Sequence, residues 1–442
     1  MNSNDEIHEI LVKRIDREKL TDGMVVGITE PDGRRVIAHG NLAAGDPRMV
    51  DGDTIFQIGS ITKVFTSLLL ADMVHHKEIS LDDPASKYLP ESVRMPERSG
   101  KYISLLDLST HTSGLPRIPA NLKPKDPANP YAGYTVDDLY QFLSTYELPR
   151  DPGFEVEYSN LGAGLLGHLL ASRAGMDYES LIETRITRPL GMPDTRVTPT
   201  NSMKQRMATG HNAMLATVAN WDIPTLEGAG ALHSSANDML TFLEAFLGYQ
   251  QTPLAPAMKA MLEFRRPVGK TKFEIGLGWA ILGELPWHDG GTGGFRSFAG
   301  YDPKERIGVV ALSNAFAHPG ISDIGIHLLN PKLPLADLDP STLQTGIPLA
   351  PRLLDRYTGR YRLPDRILEI IRNGGRLFAQ VTEAGGKPIA GPAFEMFAES
   401  ESIFFVKVTG SHITFETGTD GQATSLIMHR PGREPTPASR LS

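Results

Sequence analysis

The sequence predicts a mixed α/β protein of the α+β type, in which helices and an all-helical subdomain flank one antiparallel sheet, followed by a small all-β barrel domain. Three observations predict this order. Strand patterns occur near the start of the chain and again at 275–281 and 295–313, whereas residues 60–250 are mostly helical in pattern. After a proline-rich stretch, short alternating strands return. The two ends of the first unit are therefore expected to supply the strands of one sheet.

The early and late strands each carry a turn signal. Two short strand patterns within residues 23–39 surround a Pro-Asp-Gly turn, and the pattern at 295–313 is broken by a turn at 301–304. Pro and Gly supply the backbone angles that tight turns require, so both stretches predict β-hairpins. The segment before them, residues 1–20, is polar and amphipathic and predicts a helix.

The chain is expected to divide into a large domain at 1–335, a linker at 336–351 and a small β domain at 352–442. The linker prediction rests on the proline-rich segment 331–351. Alternating patterns such as 404–408 and 412–416 predict the strands of the small domain.

Composition excludes several classes of function. The chain has 442 residues, 40% of them hydrophobic, and a formal net charge of −8 without a long basic run, which argues against binding to nucleic acid. It contains no cysteine, so disulfides, thiolate catalysis and Cys-ligated zinc are excluded. No apolar run reaches the roughly 20 residues that span a bilayer. The oligomeric state is not indicated.

The N-terminal segment lacks the apolar core of a signal peptide. As written, the chain is expected in the cytoplasm. A chain from which a leader had been removed would instead be periplasmic or secreted.

The first candidate for chemistry is a Ser-x-x-Lys spacing at Ser60 and Lys63, just before an apolar run at 64–70. Residues three apart on a helix lie about 5–6 Å apart at Cβ, so the two side chains can meet. Burial would lower the pKa of the lysine, and a neutral amine beside a hydroxyl suits a general base for a serine nucleophile. The alternative is that Ser60 only caps the helix and Lys63 reaches solvent.

The second candidate is Tyr158 with Asn160, at the junction between a loop and a helix that runs to Ala174. A phenol here can take the serine proton or pass it to a leaving group, and the amide can hold the lysine and a substrate amide. The alternative is a half-buried aromatic and an ordinary N-cap.

The third candidate is the glycine-rich stretch 287–298, which contains His288, Gly290, Gly291 and Arg296. Its glycines let a strand backbone approach a ligand and offer an N–H group to an oxyanion. The alternative is a plain glycine-rich hairpin. His111 and His233 have no metal-ligand spacing and are expected to be structural polar residues near the cleft.

Together these stretches resemble the serine hydrolases of the penicillin-recognising superfamily, which includes class C β-lactamases, D,D-peptidases, D-aminopeptidases and related carboxylesterases. The superfamily has Ser-x-x-Lys, then Tyr-x-Asn, then Lys-Thr-Gly or His-x-Gly. This chain has Ser60-Ile61-Thr62-Lys63, Tyr158-Ser159-Asn160 and His288-Asp289-Gly290, with LLDLSTHTSGLP at 105–116 and TGGFRSF after the third motif. The resemblance covers about residues 10–330 and implies a β-lactamase-like fold.

The resemblance implies a role for each matching residue. Ser60 would be the acylated nucleophile, Lys63 and Tyr158 the proton-transfer pair, and Asn160 the residue that orients Lys63 and the substrate amide. His288 would stand at the site wall beside Gly290. The N–H groups of Ser60 and Gly291 would form the oxyanion hole. No metal or organic cofactor is implied, and whether Lys63 or Tyr158 is the base stays open.

Departures from the superfamily pattern bear on the substrate. His288 replaces the lysine of true β-lactamases and leaves a fixed cation in doubt. Asp289 would add a negative charge if its side chain pointed inward, which would favour an amine-bearing or neutral substrate. Arg296 would either contact a substrate carboxylate or be an exposed charge on an edge strand.

The C-terminal stretches 353–363, 374–382, 394–407 and 413–430 resemble the lipocalin-like β-barrel appended to some of these enzymes. The glycine-rich loop 384–391 is a hypothetical border of the catalytic cleft, with a plain hairpin tip as the alternative.

These patterns together predict a serine hydrolase that forms an acyl-enzyme on Ser60 and acts as a D-amino-acid-specific peptidase, such as a D-alanyl-D-alanine carboxypeptidase. One alternative is a carboxylesterase on short acyl esters with weak β-lactamase side activity. The other is a non-catalytic module that binds β-lactams or peptides. The expected partners are small substrates: a D-amino-acid peptide, an ester or a β-lactam.

Overall fold

A computed structural model of the 442-residue chain describes residues 2–126, 128–317, 320–336, 346–384, 387–388, 393–406, 409–430 and 434–441. The chain forms two compact units, one chiefly of residues up to 335 and the other chiefly of residues from 336 onward. Of the linker predicted at 336–351, residues 337–345 lie outside the described part of the chain.

The first unit contains the following strands: β1 (Gly23–Glu30), β2 (Gly33–Gly40), β3 (Ile55–Gln57), β4 (Glu97–Arg98), β5 (Lys101–Tyr102), β6 (His233–Ser235), β7 (Arg266–Pro267), β8 (Phe273–Ile275), β9 (Ala280–Leu282), β10 (Leu285–Gly291), β11 (Arg296–Asp302) and β12 (Ile307–Ser313). Eight of them form one sheet in the order β2-β1-β12-β11-β10-β9-β8-β7. Strand β3 pairs with β6, and β4 pairs with β5.

Helices of the first unit pack around this sheet and in a helical region beside it. They are α1 (Asn4–Val12), α2 (Thr62–His75), α3 (Leu105–Ser109), α4 (Val136–Thr145), α5 (Asn160–Ala174), α6 (Tyr178–Ile182), α7 (Arg188–Leu190), α8 (Asn201–Gln205), α9 (Ala236–Phe246), α10 (Ala255–Ala260) and α11 (Ser322–Leu329). In the described part of the chain, no helix combines the length and the apolar character needed to cross a membrane.

The predicted closure of one sheet by both ends of the unit is confirmed. The early hairpin is β1 and β2, the late hairpin is β11 and β12, and β1 pairs antiparallel with β12 so that Val26 lies opposite Ala311. One face of these strands packs under α1 and α11 in a core that includes Ile7, Phe298 and Ile324.

The prediction of a strand at 275–281 is wrong for residues 276–279, because these residues form a tight turn that separates β8 from β9. The Gly276 N–H donates to the Trp279 carbonyl over 2.8 Å. Gly278 has φ +73, and a Cβ there would lie 2.7 Å from the Ser67 hydroxyl oxygen. The turn thus brings the backbone against α2, where only glycine fits.

The second unit begins with the short helix α12 (Pro351–Leu354) and then contains only strands in its described part. These are β13 (Gly359–Arg362), β14 (Arg366–Asn373), β15 (Arg376–Ala384), β16 (Lys387–Pro388), β17 (Ala393–Ala398), β18 (Ile403–Val406), β19 (Ser411–Thr417), β20 (Ala423–His429) and β21 (Thr436–Arg440). Eight strands close into a barrel because β14 pairs with both β13 and β15. The predicted all-β barrel is therefore confirmed.

Alternate residues of the barrel strands fill its interior, among them Tyr361, Ile370, Phe404 and Leu426. Most of the loop singled out at 384–391 lies outside the described residues.

Candidate active site

The turn that carries Ser60 follows directly from strand β3. Residues Gly59–Ile61 form one 3₁₀ turn before α2 begins at Thr62, and the residue that caps α2 is Ile61, without a side-chain hydrogen bond. The alternative in which Ser60 is only a helix cap is therefore wrong. The turn is held from the sheet side, because the Ser297 hydroxyl donates to the Ile58 carbonyl over 2.7 Å. The Ser60 hydroxyl is therefore not used to cap the helix.

Lys63 is buried in the first turn of α2 with 2% of its surface exposed, so the alternative in which it reaches solvent is also wrong. Its Nζ lies 2.9 Å from Ser60 Oγ and donates to the Ala229 carbonyl over 2.6 Å. Helix α2 is buried around its whole circumference over residues 62–73. The lysine can therefore reach no other environment than this cleft.

Burial lowers the pKa of Lys63 well below its ordinary value, and the charge of Arg117 lowers it further, whereas the charge of Asp289 opposes the shift. A neutral amine has two N–H groups and one lone pair. With one N–H donated to Ala229, the lone pair is available to accept the proton of Ser60.

Tyr158 lies over the same turn. Its ring centroid is 4.5 Å from that of His111, and Lys63 Nζ is 4.9 Å from the ring centre. Burial raises the pKa of the phenol above its ordinary value, and an interaction with the Ser60 side chain opposes that shift. Tyr158 is therefore a neutral phenol at pH 7, which can relay a proton but is a weaker candidate than Lys63 for the resting base.

Asn160 is the first residue of α5, and the capping role belongs to its neighbour, since the Ser159 hydroxyl accepts from the Gly162 N–H over 2.8 Å. Asn160 Nδ2 donates to the Tyr131 hydroxyl over 3.4 Å. Its Oδ1 is buried without a hydrogen-bond partner among the described residues. Lys63 donates to the Ala229 carbonyl, and among the described residues no direct hydrogen bond joins Asn160 to Lys63, so the role of Asn160 in orienting Lys63 stays a prediction.

Strand β10 brings the third motif against the Ser60 turn. Its pairing with β9 stops at Trp287, so one edge of residues 288–291 lies against the turn while the other edge pairs with β11. A Cβ on Gly59 would lie 2.7 Å from the Gly291 nitrogen, and a Cβ on Gly290 would lie 2.0 Å from the Ile58 carbonyl oxygen. The two backbones are therefore in contact, with Gly291 N beside the turn of Ser60.

His288 is buried on the side of β10 that faces Lys63, and its ring centroid is 6.3 Å from that of Tyr158. Its Nδ1 is 2.6 Å from the Asp289 carbonyl oxygen. Burial is the largest cause that lowers the pKa of His288, to about 4. The wall of the site at this position is thus uncharged at pH 7.

The next residue, Asp289, lies on the opposite face of β10, where the Ser322 hydroxyl donates to Oδ2 over 3.2 Å. Successive residues of a strand point to opposite faces, so the Asp289 side chain points away from the face that carries His288. The inward orientation that would have favoured an amine-bearing or neutral substrate is therefore not found. The charge of Asp289 still affects Lys63 from a distance.

Arg296 begins β11, which lies between β10 and β12, so its reading as an exposed edge-strand charge is wrong. The guanidinium stacks on the Phe316 ring at 4.0 Å. Burial lowers the pKa of Arg296, and its Nε has no hydrogen-bond partner in the described structure.

Sequence reasoning missed Ala229, Tyr131 and Arg117. The quoted stretch 105–116 ends one residue before Arg117, whose guanidinium carbon lies 5.1 Å from the Tyr158 ring centre. A charged residue placed directly after a buried helix and turn was the available signal. Nothing in the sequence marks the Ala229 carbonyl, because any residue can supply one.

The two histidines set aside earlier are both buried. The Ser159 N–H donates to His111 Nδ1 over 3.2 Å, and His233 Nδ1 is 3.1 Å from the Val197 carbonyl oxygen. In the described residues, no group of three or more acidic or histidine side chains is placed to hold a metal.

Comparison with known proteins bears on the family of the chain. A family model described as Beta-lactamase matches residues 11–327, and one described as a domain of unknown function (DUF3471) matches residues 344–440. The chain is 30% identical over 303 residues to D-alanyl-D-alanine-carboxypeptidase/endopeptidase AmpH of Escherichia coli (strain K12), covering 65% of this chain and 77% of that protein. It is 24% identical over 373 residues to a beta-lactamase of the same strain, covering 74% of this chain and 93% of that protein.

Two solved structures are similar in fold. The beta-lactamase/D-alanine carboxypeptidase from Yersinia pestis, complexed with citrate, has a TM-score of 0.62 at 26% identity and covers 71% of this chain and 94% of its own. The class C beta-lactamase from Rhodobacter sphaeroides has a TM-score of 0.61 at 26% identity, with the same coverage. With its family match over residues 11–327, this chain belongs to the beta-lactamase family.

Proposed function

We propose that the protein is a serine hydrolase that forms an acyl-enzyme on Ser60 and acts as a D-amino-acid-specific peptidase of the D-alanyl-D-alanine carboxypeptidase type. The observation that carries the proposal is the contact of Ser60 Oγ with Lys63 Nζ at 2.9 Å, with the centre of the Tyr158 ring 4.9 Å from the same nitrogen. The relative named D-alanyl-D-alanine-carboxypeptidase/endopeptidase supports this class of substrate.

Acylation begins when the neutral Lys63 amine accepts the proton of Ser60 and the serine oxygen attacks the substrate carbonyl. The developing oxyanion accepts hydrogen bonds from the N–H groups of Ser60 and Gly291. Asn160 Oδ1, which is buried and has no partner in the described structure, accepts a hydrogen bond from the N–H of the acyl group. The scissile carbonyl is thereby oriented towards the serine.

The proton then passes to the leaving group through Tyr158, the phenol nearest to Ser60. Departure of the amine or alcohol leaves an ester on Ser60, and the same groups in reverse order activate water to hydrolyse it. The raised pKa of Tyr158 keeps the phenol protonated, as a donor requires, and the lowered pKa of Lys63 keeps the amine free to accept.

The second candidate, a carboxylesterase, is favoured by one observation. His288 is uncharged at pH 7, so the third motif supplies no cation for a terminal carboxylate. A neutral ester would meet no unfavourable contact there, whereas a peptide carboxylate would depend on Arg296.

The test is mass spectrometry of the intact protein after incubation with a fluorescent penicillin and, separately, with p-nitrophenyl acetate, using wild type and Ser60→Ala. Adducts or a burst in wild type alone would support Ser60 as nucleophile. Release of D-alanine from a peptide ending in D-Ala-D-Ala, but not from its L,L isomer, would support the peptidase over the esterase. Ligand binding that is equal in both proteins, without any turnover, would instead favour a binding module.

A further inference from the structure

Arg117 occupies a defined position beside the candidate active site. Its side chain is exposed, and its guanidinium carbon lies 5.1 Å from the centre of the Tyr158 ring. Its backbone is held in place, because its carbonyl accepts hydrogen bonds from the N–H groups of Asn160 over 2.9 Å and Leu161 over 3.2 Å. The backbone of Arg117 is therefore fixed against the start of α5, and its guanidinium lies beside Tyr158.

No carboxylate of the described residues lies within 4 Å of this guanidinium, whereas other arginines of the loop region are paired. Arg150, for example, contacts Glu157, and Arg98 lies 3.7 Å from Asp151. The unbalanced charge acts on the site, since it lowers the pKa values of both Lys63 and Tyr158. A cation beside the catalytic residues, without a carboxylate partner among the described residues, has the chemistry of an anion anchor.

The same wall offers two further features to a ligand. Asn160 Oδ1 is a buried acceptor without a partner in the described structure, and it requires an N–H group. Tyr131 receives the Asn160 amide hydrogen bond, and its ring lies 5.6 Å from that of Trp221. Acceptor, aromatic surface and cation thus occur together on the side of the cleft that binds the acyl group in the proposed function.

We infer that Arg117 binds a carboxylate on the acyl part of the substrate. The preferred substrate then has an amide N–H near the scissile carbonyl, for Asn160, and an acidic group farther along the acyl chain, for Arg117. This inference rests on the proposed function for the direction in which the substrate lies. It assigns the anion contact on the acyl side to Arg117, whereas Arg296 stacks on Phe316 beside Gly291.

A purely electrostatic effect of Arg117 on Lys63 would give a different kinetic result from carboxylate binding. If Arg117 acts only by repelling the proton of Lys63, its removal would change the pH dependence and the rate for every substrate alike. If it binds a carboxylate, its removal would penalise acidic substrates selectively. The ratio of rates for two substrates of equal shape separates these roles, because an effect on Lys63 cancels in the ratio.

The experiment compares the p-nitrophenyl ester of N-succinylglycine (the succinate ester) with that of N-succinamoylglycine (the succinamate ester). Both carry an amide N–H near the scissile carbonyl, and they differ in a carboxylate against a carboxamide at the end of the acyl chain. kcat/KM is measured for both esters with wild type, Arg117→Gln, Arg117→Lys and the control Arg188→Gln, with the Ser60→Ala rate subtracted as background. Arg188 is exposed and is paired with Glu183, away from the residues described in the site.

The ratio of succinate to succinamate is expected to fall about tenfold in Arg117→Gln, to be partly retained in Arg117→Lys, and to be unchanged in the control. The expected change in the ratio is modest because solvent weakens the attraction between an exposed arginine and a carboxylate. A ratio in Arg117→Gln equal to that of wild type would overturn the inference, whatever the absolute rates.

Failure of the proposed function would be recognised separately. If wild type hydrolyses neither ester, the dissociation constants of the same two esters are measured by calorimetry with Ser60→Ala and with Ser60→Ala/Arg117→Gln. A preference for the succinate ester that disappears with Arg117 would uphold the anion site without the catalysis. Equal affinities in both proteins would reject the site.

Discussion

Replacement of Gly290 by alanine tests the contact between strand β10 and the Ser60 turn. The added Cβ would lie 2.0 Å from the Ile58 carbonyl oxygen and 2.3 Å from the Ser297 hydroxyl oxygen. The first of these atoms belongs to the backbone directly before Gly59, and the second is the group that donates to it. Rotation of one side chain cannot relieve both contacts, so the strand and the turn must separate.

The size of the effect follows from these distances. Real Cβ atoms essentially never approach another heavy atom within 3.0 Å, so the backbones must move apart by about 1 Å. A displacement of about 1 Å in a catalytic group costs on the order of 100-fold in rate, and overpacking costs about 1–3 kcal/mol of stability. Gly291, the proposed oxyanion donor, is the next residue and would be displaced with the strand.

The assay is the rate of acylation by p-nitrophenyl acetate, measured below the melting temperature of each variant as determined by circular dichroism. Gly133→Ala is the matched control, because a Cβ at Gly133 has no atom within 4 Å and the residue has no positive φ. We expect about a 100-fold loss in Gly290→Ala and no loss in the control. A folded Gly290→Ala protein that acylates at the wild-type rate would refute the proposed oxyanion geometry.

Three further outcomes are expected. Lys63→Met should lower kcat by about 10²–10⁴-fold, because the general base is lost. It should not lower the melting temperature, because burial of the amine is itself unfavourable. An unchanged kcat would show that another residue is the base. Burial lowers the pKa of His233 from 6.5 to about 4. As pH falls, the unfolded state therefore binds the proton before the folded state does. The contribution of His233 to the free energy of unfolding should decrease by about 3 kcal/mol between pH 6.5 and 4. In urea titrations His233→Gln should show a shallower decrease, and an identical slope would contradict the assignment. Arg14, 2% exposed, pairs with Asp323 at 2.5 Å and with Glu18 at 3.5 Å, so Arg14→Leu should lower the free energy of unfolding by about 3 kcal/mol. Part of that loss should be recovered in Arg14→Leu/Asp323→Leu, because Asp323 no longer leaves an unpaired charge. A double variant as unstable as the single one would show that the unpaired Asp323 is not the cause.

Much of the fold could be predicted because its signals are local. The Pro-Asp-Gly turn specifies the hairpin of β1 and β2, and Gly175 in the left-handed region ends α5 where the sequence indicated. The strand pattern at 275–281 misled because Gly276 and Gly278 belong to a turn against Ser67, a contact distant in sequence. The alternation of apolar and polar residues in this stretch did not indicate the contact with Ser67.

Within the site, the sequence by itself determined which side chains could do chemistry and that Ser60 and Lys63 would meet, because a spacing of three residues is set by helix geometry. Only the tertiary structure decided what surrounds them. It brought the Ala229 carbonyl to Lys63, turned Asp289 to the far face of β10, and stacked Arg296 on Phe316. Arg117 likewise reaches Tyr158 only when α5 packs beside the Ser60 turn. These contacts join segments distant in the chain, and burial and electrostatic fields depend on packing that no single segment contains.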